Sequence, residues 1–395
     1  MRLVHLSDLH LGYRQYLRLT PTGINQREAD VARTFQRAVD QVIRLEPELI
    51  LIAGDLFHTA RPTNAAILHA FRQFLRLRTE LPTTDVVLVA GNHDTPRTTE
   101  TGSILALFEQ LGVKVASSEA KSFPVCGGKA SVLAVPDVPG AWPAQAERSA
   151  GHNILLIHAN LSDVVPPHVA EMDRAAINVT RDDLGLSKWS YVALGHYHVH
   201  RRVAENAYYS GAIDYTSLNV WGEMGEAEDL GLKGKGFIEY NLETKEHRFH
   251  ELPPSRAFVR LPDITARNKS VAELDADIQR AVEKCKGGID DKVVRLTLRD
   301  VPRHVARELD HRALRDFKRR AVHFQMDVRR EDYTSRVGQG APGRRQSVVD
   351  VVRDQLTHRE IPADLDRDRL VELGLKYLAD AEALTVADSA LGTEN

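Results

Sequence analysis

The chain has 395 residues, 43 % of them apolar and 27 % charged, with a net charge of −3. That balance fits a globular protein with room for two or three domains and excludes collagen-like, low-complexity and wholly disordered chains. Two cysteines, Cys126 and Cys285, exclude a disulfide framework and fit a reducing cytoplasm, and no apolar run approaches the ~18 residues of a membrane span.

Residues 2–7 read as a strand, and residues 25–45 carry a helical stripe of Val31, Phe35, Val39, Val42 and Ile43. Residues 49–53 and 86–90 are further strands, with a second amphipathic helix over 65–77 between them. Strands alternating with helices predict βαβ units and a largely parallel, buried sheet. More strands are expected at 131–135, 153–158, 191–194 and 236–240. Beyond Leu252-Pro253-Pro254, residues 257–261, 271–284, 292–298, 305–320 and 322–328 read as β-α-β-α-β. This stretch is basic. Residues 256–330 hold 19 Lys and Arg against 12 Asp and Glu, leaving the rest of the chain at −10. Residues 336–345 are Gly-rich and basic, as in a linker. Two short helical stripes follow, Val348, Val352 and Leu356, then Leu370, Leu373 and Tyr377.

Five short motifs occur in order: Asp8-Leu9-His10, Gly54-Asp55, Gly91-Asn92-His93-Asp94, His158, and Gly195-His196-Tyr197-His198. Each follows a predicted strand, and ligand sites in open α/β sheets lie beyond the carboxyl ends of strands. Residues far apart in sequence therefore converge on one rim. Alternation along an extended segment puts Asp8 and His10 on one side, and likewise His196 and His198. The donors are oxygen and imidazole nitrogen without thiolate, a set suited to Mn²⁺, Fe²⁺ or Zn²⁺. Seven or more donors exceed what one ion can use, so two ions are expected, with Asp55 the natural bridge. Two ions ~3.5–4 Å apart clamp a phosphate and lower the pKa of bound water towards ~7. A lone histidine after a strand is usually a core or surface residue. The ordered set of five motifs carries the reading.

That set is similar to the calcineurin-like metallophosphoesterases, over roughly residues 1–240. The resemblance implies an α/β fold with a β-sandwich-like sheet core flanked by helices. It implies one metal held by Asp8, His10, Asp55 and His198 and another by Asp55, Asn92, His158 and His196, with Mn²⁺ the expected ion. His93 would assist the leaving group, Asp94 would support His93, and His58 would contact the scissile phosphate. Ser7-Asp8-Leu9-His10-Leu11-Gly12 and Gly54-Asp55-Leu56-Phe57-His58 resemble, more narrowly, the SbcD-type DNA repair exonucleases. So do Tyr208-Tyr209-Ser210-Gly211-Ala212 and Lys235-Gly236-Phe237, although Ala212 stands where that family usually carries Ser. A Gly-Asp-x-Val-Asp-Arg-Gly stretch, expected of a protein phosphatase, is absent.

This narrower resemblance implies a nuclease domain over 1–252, a capping domain over 256–330, a linker over 331–346, a helix–loop–helix over 347–383 and a tail over 384–395. The hairpin would dock an SbcC-like SMC-family ATPase through Val348, Val352, Leu356, Leu370, Leu373 and Tyr377. The cap would meet DNA through Arg312, Arg315, Lys318, Arg319 and Arg320, since Lys and Arg release counterions from phosphates. The implied activities are 3′→5′ exonuclease on duplex ends and endonuclease on single strands, in DNA end processing by a cytoplasmic homodimer. The helices near 65–77 and 101–111 are candidate dimer elements. The rival readings are a metallophosphodiesterase or phosphatase acting on a small or non-DNA substrate, and a degenerate scaffold without activity. Every expected ligand position is filled, which opposes the last.

Overall fold

The computed structural model describes residues 1–96, 102–143, 151–172, 174–330, 348–358 and 366–391. They fall into two units, one ending at Arg330 and one following it. The stretch expected as a linker, 331–346, lies outside the described residues.

In the first unit two six-stranded sheets pack face to face. One is ordered His247–Leu252, Lys235–Asn241, Arg2–Leu6, Leu49–Ala53, Asp85–Val89, Lys114–Ala116. The other is ordered Arg201–Ala204, Ala207–Tyr209, Tyr191–Gly195, His152–His158, Ala130–Val135, Lys121–Val125. The central strands of each sheet are parallel, as the βαβ pattern predicts. The edges are not. Lys235–Asn241 and His247–Leu252 run antiparallel in the first sheet, and Arg201–Ala204 and Lys121–Val125 in the second. The expectation of a largely parallel sheet is corrected to two mixed sheets forming a sandwich.

Strand Leu49–Ala53 shows why the sequence reads apolar throughout. Leu49, Leu51 and Ala53 face the second sheet and meet Val132, Leu156 and Ala193. Ile50 and Ile52 face the opposite way, onto Val31, Phe35 and Phe74. A strand covered on both faces has no polar side to offer, and each such side chain stabilises by about 1.5–3 kcal/mol on burial. Helices Gln26–Leu45 and Asn64–Glu80 provide that outer cover. Asn25 starts the first by accepting from the Arg27 and Glu28 N–H groups, and Thr63 starts the second by accepting from Ala66. Between 101 and 111, only Ala106–Glu109 is helical among the described residues.

Residues 258–330 add a parallel sheet in which Val293–Val301 pairs with Phe258–Arg260, Ile264–Thr265 and His323–Arg330. Helices Val271–Glu283, Arg303–Glu308 and His311–Arg320 cover it, and Leu274, Leu296, Phe317 and Phe324 share its core. The single helix expected over 305–320 is two helices. Asp310 starts the second by accepting from the Arg312 and Ala313 N–H groups, which breaks the run. Arg256 joins this sheet to the sandwich through both Asp30 oxygens, at 2.5 and 2.9 Å, and Tyr16 stacks on His323.

In the second unit, helices Val348–His358 and Arg367–Leu391 pack as a hairpin. A side chain at Gly374 would collide with Leu356, so glycine sets the close approach. The second helix continues into the stretch expected as a tail. Alanines at 379, 381, 383, 387 and 390 favour helix there. Among the described residues, no helix is long and apolar enough to cross a membrane.

Candidate metal centre

The loops after Arg2–Leu6, Leu49–Ala53, Asp85–Val89, His152–His158 and Tyr191–Gly195 meet at one rim. The Asp8 N–H donates to the Gly54 carbonyl at 3.1 Å, and the His10 N–H to the Asp55 carbonyl at 2.9 Å. Asp8, His10, Asp55 and His196 all take positive φ, at 53°, 44°, 51° and 101°. Side-chain-bearing residues pay ~1–3 kcal/mol for such backbone, and it concentrates at functional sites. Asp8 and His10 therefore converge through left-handed turns. The alternation argument for an extended segment reached the right neighbours by the wrong geometry. Gly54 and Gly91 make the convergence possible, because a Cβ on Gly54 would strike the His158 ring and one on Gly91 the Asp55 carboxylate.

Asp55 Oδ2 stands 3.7 Å from His10 Nε2 on one side and 3.6 Å from His158 Nε2 on the other. Around the first position, His10 Nε2 lies 2.9 Å from His198 Nε2, and His198 Nε2 lies 3.9 Å from Asp8 Oδ1. Around the second, His158 Nε2 lies 2.9 Å from Asn92 Oδ1, and the His158 and His196 rings are 5.4 Å apart. Two donor clusters thus flank one carboxylate, as a pair of cations requires. His158 Nδ1 faces the Ala53 carbonyl at 2.8 Å, which fixes the tautomer that leaves Nε2 free to ligate. Asp8 is fully buried, and burial pushes its carboxyl up to about 7. It has no Lys or Arg in ion-pair contact among the described residues. Buried carboxylates are stable when paired or bound to metal, so the donor set fits divalent cations.

His58 and His93 stand beside the first cluster, their rings stacked at 5.1 Å with His10 at 5.3 and 4.8 Å. His93 Nδ1 meets the His58 carbonyl oxygen at 2.8 Å, which turns Nε2 away from the backbone. Asp94, expected to support His93, engages backbone N–H groups. The Asp94 carboxylate accepts the N–H groups of Leu56, Phe57 and Gly91 at 3.0, 2.9 and 3.2 Å. It clamps the Gly54 and Gly91 loops together and holds His93 through the backbone. The His93 N–H donates to Asp55 Oδ1 at 2.9 Å, completing that link.

Two supports were missed in the sequence. Lys235 is buried, pairs with Glu223, and donates to the His198 carbonyl at 2.7 Å. Its Lys-Gly-Phe motif was visible, but the role was not. Arg27 is wholly buried between Asp30 and Asp214 and stacks over Tyr13 and Phe258. Tyr13 in turn packs on His58 at 4.9 Å.

The basic residues of His311–Arg320 are not brought to the metal centre, and none lines the cavity beside it. Arg319 pairs with Asp316 and Arg320 with Asp290, while Arg312, Arg315 and Lys318 are exposed. In the second unit, Val348, Leu373 and Tyr377 are exposed, whereas Val352, Leu356 and Leu370 are half-buried.

The family model for the calcineurin-like phosphoesterases matches residues 1–221. A DNA double-strand break repair protein Mre11 of Methanocaldococcus jannaschii is 28 % identical over 246 residues, covering 60 % of this chain and 61 % of that protein. The Mre11 of Methanococcus maripaludis is 27 % identical over 256 residues, covering 60 % and 62 %. That of Sulfolobus acidocaldarius is 23 % identical over 294 residues, covering 72 % and 69 %. The aligned part spans about three fifths of the length of the first two relatives.

Proposed function

Because the chain belongs to the calcineurin-like phosphoesterase family, we propose that it is a two-metal DNA nuclease that hydrolyses phosphodiester bonds in DNA end processing and double-strand-break repair. The relatives' role in double-strand break repair supports the DNA substrate. The observation that carries the reading is Asp55 Oδ2, at 3.7 and 3.6 Å from the Nε2 atoms of His10 and His158. Its activities are 3′→5′ exonuclease on duplex ends and endonuclease on single strands, with Mn²⁺ as the ion.

Asp8, His10, Asp55 and His198 would hold one ion, and Asp55, Asn92, His158 and His196 the other. When bound, such a pair neutralises phosphate charge and makes water nucleophilic near neutral pH. His93 keeps Nδ1 on the His58 carbonyl, so its protonated Nε2 gives a proton to the departing sugar oxygen. His58, stacked on His93, contacts the scissile phosphate. The +7 charge of residues 256–330 draws DNA towards the sandwich, with Arg312, Arg315, Lys318, Arg319 and Arg320 meeting phosphates.

The hairpin after residue 347 docks an SMC-family ATPase by helix-in-groove packing, for which Val348, Leu373 and Tyr377 are exposed. The chain pairs as a cytoplasmic homodimer through Asn64–Glu80, where Leu68 and Leu75 face outward.

End-labelled duplex and single-stranded circles incubated with Mn²⁺, with and without the ATPase, test the proposal. Cleavage of both supports it. Turnover confined to bis-p-nitrophenyl phosphate or cyclic nucleotides would favour a small-substrate phosphodiesterase instead.

A further inference from the structure

Beside the metal centre lies a cavity of about 270 Å³. His58, His93 and His198 form its floor, Val169 and Leu218 line its walls, and the buried Tyr197 and Val199 lie behind them. We propose that this cavity receives one unpaired nucleobase of the strand whose phosphodiester lies at the metals. The inference rests on the nuclease reading and specifies how that site takes its substrate.

The walls are unsuited to phosphate. Among the described lining residues there is no Lys or Arg, and two are carboxylates, Glu223 and Glu226. The polar groups of the walls are largely satisfied by one another. Glu223 pairs with Lys235 and accepts from Ser217 Oγ at 2.5 Å, while the Tyr197 hydroxyl donates to Glu226 Oε1. What they leave facing the cavity is chiefly hydrocarbon and ring. Leu218 is 78 % exposed at the rim. A slot that is apolar, acidic at one corner and continuous with a phosphate site fits the uncharged, planar part of a nucleotide. Glu226 Oε2 has no hydrogen-bond partner among the described residues, so it can accept from the amino group of adenine, cytosine or guanine.

A base seated there cannot also be paired. The terminal or scissile step of a duplex must open by one nucleotide, at the cost of unstacking and unpairing. Burial against Leu218 and Val169, beside the half-buried His58 and His93 rings, offsets that cost.

The test uses the full chain with Mn²⁺ and single-stranded oligonucleotides cut at a mapped position, in which an abasic nucleotide removes the base contact without relieving any pairing cost. A single abasic nucleotide is moved through each position around the scissile bond. The expected result is a fall in kcat/KM of roughly tenfold or more at one flanking position and little change elsewhere, the scale of losing one base–aromatic or base–apolar stack. No position-specific fall would overturn the proposal. In Val169→Trp, which fills the cavity, abasic and intact substrates should be cut at equal rates, and discrimination that persists would also overturn it. The abasic scan on the unaltered protein stands even if that variant does not fold. If the unaltered protein cuts no DNA at all, the nuclease reading fails, and the pocket assignment falls with it.

Discussion

Asp94 Oδ1 accepts the backbone N–H of Phe57 at 2.9 Å. With the Leu56 and Gly91 N–H groups on Oδ2, this carboxylate joins two loops that carry Asp55, Asn92 and His93. Asp94→Ala leaves three buried donors without an acceptor. At ~1–3 kcal/mol per orphaned group, partly relieved by water, the variant should lose at least about 2 kcal/mol. It should also bind Mn²⁺ more weakly. Thermal unfolding and titration calorimetry check both, and an unaltered Tm would refute the clamp.

His93, whose ring stands 4.8 Å from that of His10, is proposed to give a proton and not to ligate. His93→Ala should keep metal binding and lower cleavage by about 10²–10⁴-fold, the range for a lost general acid. Single-turnover cleavage with metal content measured in parallel decides it. Full occupancy with undiminished cleavage would remove His93 from the mechanism.

Arg27 is fully buried between Asp30 and Asp214, at 3.4 and 2.9 Å. Arg27→Met strands buried carboxylate charge, with a loss of about 3–5 kcal/mol. Asp30 retains Arg256, so the lower end is expected. Chemical denaturation monitored by tryptophan fluorescence measures it, and a change below ~1 kcal/mol would contradict the network's role.

His5 is wholly buried with Nδ1 3.1 Å from the Tyr191 hydroxyl, and burial holds its pKa down to about 3. Its pKa is lower folded than unfolded, so the unfolded chain binds more protons between about pH 3 and pH 6.5. Stability from this group is therefore full above about pH 6.5 and is lost as pH falls through that window. In chelator-treated protein, the denaturation midpoint should drop between pH ~7.5 and pH ~4.5, and His5→Phe should shrink the drop. An equal drop in both proteins would exclude His5 as its source.

The convergence of the candidate donors was legible because each motif sits at the end of an apolar run, and Leu49–Ala53 has the bounds its residues suggest. The edge strands Arg201–Ala204 and His247–Leu252 were not. They are rich in charged and polar residues, so no apolar run marks them, although each pairs with the strand next to it in sequence. The left-handed turns at Asp8, His10 and Asp55 were equally hidden, since nothing local in Asp-Leu-His demands positive φ. Arg27 and Asp214 are 187 positions apart, and Lys235 and the His198 carbonyl it donates to are 37 apart. Local pattern locates the candidate donors, whereas the groups that hold them come from long-range packing.

Anomalous diffraction at the manganese edge, on crystals soaked with Mn²⁺, tests the central claim most directly. The account predicts two peaks ~3.5–4 Å apart with Asp55 between them, one within ligand distance of His10 and His198 and the other of Asn92 and His158. A single peak, or peaks that leave Asp55 uninvolved, would contradict it.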